Sequence, residues 1–200
     1  MRTLVLSVLA ALALAGCSSS SSSTPTQLTY TNPSSTGWRL VKDPSSTSSR
    51  LVLALVGPTG TQIRGVGFNL QAGSAVRWAS FEDGRAIQDT GVLELKNSTP
   101  PVPDPYEDVL LGGGVMDGNV LTVGIFQKDR RVTAKDASSP LLRIALEIDP
   151  KGQAGSIPLV LRKAKVIAAD IGAFTDDPVT VLTKAHLDPI DIAVGTLKAS

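Results

Sequence analysis

The chain is poor in the residues that most often carry chemistry. Its 200 residues hold one cysteine and one histidine. Cys17 alone can form no intramolecular disulfide, so an exported domain has to rest on its apolar core. One cysteine and one histidine cannot supply the four nitrogen or sulfur ligands of a usual zinc site. Any Ser-His-Asp triad would have to use His186, and no Gly-x-Ser-x-Gly elbow is present to hold the serine. Aromatic residues are scarce as well, with two Trp, two Tyr and four Phe, so stacking platforms for sugars are few. Charge of one sign is also missing. A formal net charge of +1 gives no field to attract nucleic acid or an anionic bilayer face. No apolar run reaches the roughly 20 residues that span a membrane as a helix.

What is present begins at the N-terminus. Met1-Arg2 supplies a positive charge, and residues 3–15 are apolar apart from Thr3 and Ser7. That is the length of a signal-peptide core. Leu14-Ala15-Gly16-Cys17 closes the run and resembles the lipobox of bacterial lipoproteins. The resemblance implies cleavage before Cys17, a diacylglyceryl group on its sulfur, and acylation of the new amine. One acyl chain binds a bilayer only marginally, whereas two or more hold it firmly. Ser18 in place of aspartate implies, by the same resemblance, carriage to the outer membrane of a diderm envelope. Removing residues 1–16 takes away a single charge, Arg2, and the mature chain stays near neutral.

Composition then sets the organisation. Residues 18–23 are all serine, followed by Thr24-Pro25-Thr26 and later by Asn32-Pro33-Ser34-Ser35-Thr36-Gly37. Such a stretch cannot bury a core and is expected to act as a tether. The expected divisions are a signal peptide over 1–16, an acylated cysteine and linker over 17–37, and one domain over 38–200. A linker of that length would hold the domain on the order of 25 Å from the lipid. The domain is long enough to bury about two-thirds of its unfolded surface.

From Arg50 onward the pattern is strands divided by turn residues. Residues 51–56 form an apolar run stopped by Gly57-Pro58-Thr59-Gly60. Val66, Phe68 and Leu70 alternate with smaller or polar neighbours, and Val76 and Trp78 continue the alternation. Residues 109–111 meet Gly112-Gly113-Gly114, and a further run at 120–126 follows Asp117-Gly118-Asn119. Leu142, Ile144, Leu146 and Ile148 give the cleanest period of two, ended by Asp149-Pro150-Lys151-Gly152. Ile157, Leu159 and Leu161 open another strand, and residues 190–197 a last one; one short helix is possible over 179–185. About nine strands and frequent turns predict an all-β fold, an antiparallel β-sandwich.

Four of these segments resemble cohesin-like β-sandwiches, which share a jelly-roll architecture with some carbohydrate-binding modules. They are Gly65-Val66-Gly67-Phe68-Asn69-Leu70; the triple glycine with residues 119–126; residues 141–148 with Gly155 and 157–161; and Gly195-Thr196-Leu197. The resemblance implies contact with a protein partner or a role in assembly. It departs from the family pattern at Gln71-Ala72-Gly73, where a Tyr-Asp-Pro triplet would stand, so it implies the sandwich rather than dockerin recognition.

The remaining candidates are weaker signals. Asp104, Glu107 and Asp108 cluster in one expected loop, and Asp176 and Asp177 in another, with Asp188 and Asp191 following. None has the spacing of a known calcium loop, and solvated turns explain them. Lys128-Asp129-Arg130-Arg131 with Lys135-Asp136 reads as a solvent-facing turn. Gly65, Gly67 and the triple glycine lack a phosphate loop's strand–turn–helix setting, and close packing or a turn accounts for them. His186 reads as a surface or boundary residue. Phe68, Trp78 and Phe126 fall at buried strand positions, which leaves Tyr30, Trp38 and Tyr106 as possible exposed platforms for a polysaccharide. The expected protein is non-enzymatic, needs no metal or cofactor, and is held in the cell envelope through Cys17. Its partner is an unidentified envelope protein, or alternatively a polysaccharide; nucleic acid is not expected.

Overall fold

The computed structural model describes residues 24–90, 110–127, 134–168 and 187–200. Within them every regular element is a strand, and every ladder is antiparallel. No helix among the described residues is long and apolar enough to cross a membrane. The expected helix over 179–185 lies outside the described residues.

One sheet is built from β2 (Arg39–Lys42), β3 (Arg50–Val56), β10 (Leu142–Ile148) and β5 (Val76–Ala79), with β6 (Ile87–Asp89) also on β10. The second has the order β13 (Leu187–Pro189), β12 (Leu159–Ala168), β4 (Gln62–Ala72), β8 (Val120–Gln127), β7 (Leu110–Asp117), with β9 (Lys135–Asp136) on β4. A third, three-stranded sheet joins β1 (Leu28–Thr31), β14 (Thr196–Ala199) and β11 (Gly155–Ile157). The two larger sheets pack face to face. Leu40, Leu51, Leu53, Leu55, Ile144 and Leu146 from one meet Ile63, Phe68, Leu70, Leu121, Val123 and Ile125 from the other in a single core. Alternation is the cause: on β4, Val66, Phe68, Leu70 and Ala72 are buried while Gly67, Asn69 and Gln71 point the other way and are half exposed. The antiparallel sandwich read from the sequence is the fold.

Three boundaries differ from expectation. The domain starts at Leu28 rather than at residue 38. β1 pairs with β14 from Leu28↔Ala199 to Thr31↔Thr196, and Leu28 and Tyr30 are buried. Even Pro25 is buried, and the backbone N–H groups of Thr26 and Gln27 both donate to the Ser200 carbonyl. Residues 25–31 of the expected linker thus belong to the folded domain. Next, Ile157 and Leu159 belong to different sheets, because Pro158 stands between β11 and β12 and cannot donate to a ladder. The last strand is residues 196–199, not 190–197; within the earlier stretch only Ala193 bridges, to Arg39. Among the described residues there are fourteen strands, against the expected nine or so.

Hydrogen bonds between turns gather the strand ends at two poles. Near Pro25 and Ser200 lie the turn at 73–75, the hairpin turn at Gly118–Asn119 and the loop at 149–153. This grouping follows from Ala72 donating to Asn119, Asp149 to Ala75, and Gly73 to Pro158. At the opposite pole lie residues 57–61, Pro140 and the described ends Thr90, Gln127, Ala168 and Leu187.

Candidate binding surface

The two sheets differ in what covers their outer faces. On the five-stranded sheet the outward side chains satisfy one another. Arg143 Nε donates to Asp43 Oδ2 at 2.7 Å, while the backbone N–H and hydroxyl of Ser45 donate to Oδ1 at 2.9 and 2.6 Å. Burial pushes the Asp43 carboxyl up, but these bonds and the Arg143 charge together hold it below its ordinary value. Glu147 takes Arg50 at 2.5 Å and Arg77 at 3.5 Å, and the Arg50 guanidinium lies 5.4 Å from the Phe81 ring centre. Beneath Phe81, Val52, Ala79 and Ala145 form a small buried cluster. Val52 is thereby buried on the outer side of β3, where Ala54 and Val56 are buried as well. The face is closed.

The outer face of the six-stranded sheet is open, and the registers define it as a grid. One row runs Asp117, Val120, Gln71, Val160; the next runs Val115, Thr122, Asn69, Arg162; the third runs Gly113, Gly124, Gly67, Lys165. Val115 is 67% exposed and Val160 44%. A Cβ placed on Gly113 or Gly124 would meet nothing within 4 Å, and one on Gly67 would meet only backbone of β8. At about 4.8 Å between strands, the three glycines clear a strip roughly 10 Å long with bare backbone as its floor. Arg162, Lys163 and Lys165 stand exposed at its β12 end, and no described acidic side chain pairs with them. The ladder slips between Arg162 and Lys165, where Lys163 takes a φ of 49°. Such a non-glycine residue in the left-handed region is uncommon.

The triple glycine is thus not a turn but the middle of β7. Gly114 on the inner side is required by contact, since a Cβ there would come within 2.7 Å of Ile87 Cγ2. Reading glycines one segment at a time gives no sign that Gly113, Gly124 and Gly67 fall in register.

The aromatic platforms are corrected. Trp38 is 8% exposed and Tyr30 6%. Tyr30 Oη donates to the Leu40 carbonyl at 3.0 Å and accepts the Gly195 N–H at 2.6 Å; burial raises its pKa against the lowering effect of that bond. Phe68 and Trp78 are buried as expected, with Trp78 Nε1 donating to the Asn119 carbonyl at 3.0 Å. Cys17, Tyr106, His186, Asp104, Glu107, Asp108, Asp176, Asp177 and residues 128–131 lie outside the described residues. Asp188 and Asp191 are exposed. Asp136 is exposed, and the Ser138 N–H and hydroxyl lower its pKa. Among the described residues no group of three or more His, Cys, Asp or Glu could hold a metal.

Fold and surface together define an all-β sandwich with one closed and one open sheet face. No family model matches the chain, and no curated protein matches it. Among solved structures it is similar to the sixth cohesin of scaffoldin B from Acetivibrio cellulolyticus, determined in complex with a dockerin, at 10% identity and a TM-score of 0.49, covering 80% of this chain and 96% of that one. A non-cellulosomal cohesin from Archaeoglobus fulgidus shares 10% identity at a TM-score of 0.45, covering 78% and 85%. A type III cohesin module from Ruminococcus flavefaciens shares 14% at 0.41, covering 86% and 87%. Likeness of this degree is one of outline, and the fold assignment rests on the strand pairing above.

Proposed function

We propose that this chain is a non-enzymatic, lipid-anchored protein of the cell envelope that contacts a protein partner through the outer face of its six-stranded sheet. The observation that carries the reading is the contrast between the faces. One is closed by its own ion pairs; the other presents exposed valines, a bare glycine strip and cations without a described partner. A mixed face whose valines and glycines have little side-chain entropy to lose suits a protein surface. The anchor at Cys17 and an outer-membrane address through Ser18 complete the proposal, supported by the residues of the lipobox. The polysaccharide reading loses Tyr30 and Trp38, which the core uses.

Two experiments test the two halves. A photo-crosslinking residue at Thr122, in intact cells, is expected to capture a protein that the same residue at Arg77, on the closed face, does not; Val115→Asp is expected to abolish the capture. Equal yields from the two faces, or sugar adducts alone, would overturn the contact proposal. Cys17→Ser is expected to release the protein from membranes or leave the precursor uncleaved, and unchanged processing with full membrane retention would overturn the anchor.

A further inference from the structure

The place where the fold begins limits how it can stand on a membrane. Pro25 is buried, and Thr26 and Gln27 are tied to Ser200, so the free chain from a lipidated Cys17 ends at residue 25. Those eight residue steps reach at most about 29 Å, the length of a fully extended chain. β4 has eleven residues and runs from pole to pole, a length of about 36 Å. The tether is shorter than the body it holds. For the opposite pole to touch the bilayer, the tether would have to run the whole length of the sandwich, and it cannot.

We infer that the domain is oriented by its tether: the pole carrying Thr26, Lys151 and Ser200 faces the bilayer, the pole carrying Thr59 faces away, and the open sheet face looks along the membrane plane. The inference rests on the anchor proposed above. Its consequence for the partner is geometric. A face whose strands stand along the membrane normal is approached from the side, by a protein within roughly 65 Å of the same bilayer, the sum of reach and strand length. The described ends of the connections 91–109, 128–133 and 169–186 lie at the outward pole.

The test uses the full acylated chain in phospholipid vesicles containing a trace of headgroup-labelled acceptor lipid. Donor dyes are placed on Lys151→Cys or Thr59→Cys, both exposed sites. Energy transfer is expected to be several-fold greater from position 151 than from 59. Inserting a thirty-residue Ser/Thr segment between Thr24 and Pro25, which brings the average coil length to about that of the sandwich, is expected to erase most of that difference. Equal transfer from the two sites, or a difference that survives the insertion, would overturn the inference. Failure of the anchor itself is separately visible, because purified native protein would then carry no acyl chains and would not bind the vesicles at all.

Discussion

At the scale of single residues, the contacts that hold the chain ends together are the most exacting. Gly195 lies so close to β1 that a Cβ there would collide with the Thr31 carbonyl oxygen and the Tyr30 ring. Neither is the movable tip of a long side chain. Gly195→Ala is therefore expected to cost about 2–4 kcal/mol, read as a lowered urea midpoint, whereas Gly113→Ala, in open space, should leave the midpoint equal or slightly raised. Tyr30→Phe removes the acceptor of the Gly195 N–H and the donor to Leu40, and about 1–3 kcal/mol should go with them. Asp43 supplies a pH signature. Its carboxyl titrates lower in the folded chain than its ordinary 3.8, so the stability it contributes is present above that value and is lost as pH falls through the folded one. Comparing the protein with Asp43→Asn, the gap between urea midpoints should be full at pH 7 and should narrow below about pH 3.8. A gap that does not change with pH would show that the Arg143 pair has no part in acid unfolding.

At the scale of strands, legibility followed periodicity and length. β10 was readable because the large apolar residues Leu142, Ile144, Leu146 and Ile148 alternate with Arg143, Ala145 and Glu147. The turn at Gly118–Asn119 was readable because Gly118 takes a φ of 55°, which glycine permits. β1 was not, since four residues, two of them threonine, carry too little pattern to stand out from linker composition. Trp38 was misread for a different reason: its ring packs close to Gly57, which lies far from it in sequence. The glycine strip was invisible because it exists only across strands. Its neighbour in β12 permits a direct check. Lys163 holds a left-handed conformation that glycine adopts at no cost, so Lys163→Gly should raise the stability read from urea unfolding by about 0.5–1 kcal/mol or leave it unchanged. A clear loss would mean that the lysine side chain has a partner that stabilises the bulge.

At the scale of the whole molecule, the position of β1 decides where the domain ends and the tether begins. β1 covers β14 on the side away from β11, so the third sheet is three strands only while residues 28–31 are present. Removing them would take Leu28 and Tyr30 out of the core and leave the Gly195 N–H without its acceptor. Burying a leucine and a tyrosine is worth roughly 2–3 kcal/mol each, and the lost bonds add to that. This is a large part of what a single domain of this size has to spare. A chain that starts at Thr24 should therefore unfold at the same urea concentration as the mature protein. One that starts at Trp38 should unfold at a much lower concentration or fail to fold, with amide protons of β14 exchanging rapidly. If both chains were equally stable, β1 would be an accessory strand, and the free tether would extend to about twenty residues. Its reach would then exceed the length of the sandwich, and the geometric limit on orientation would disappear.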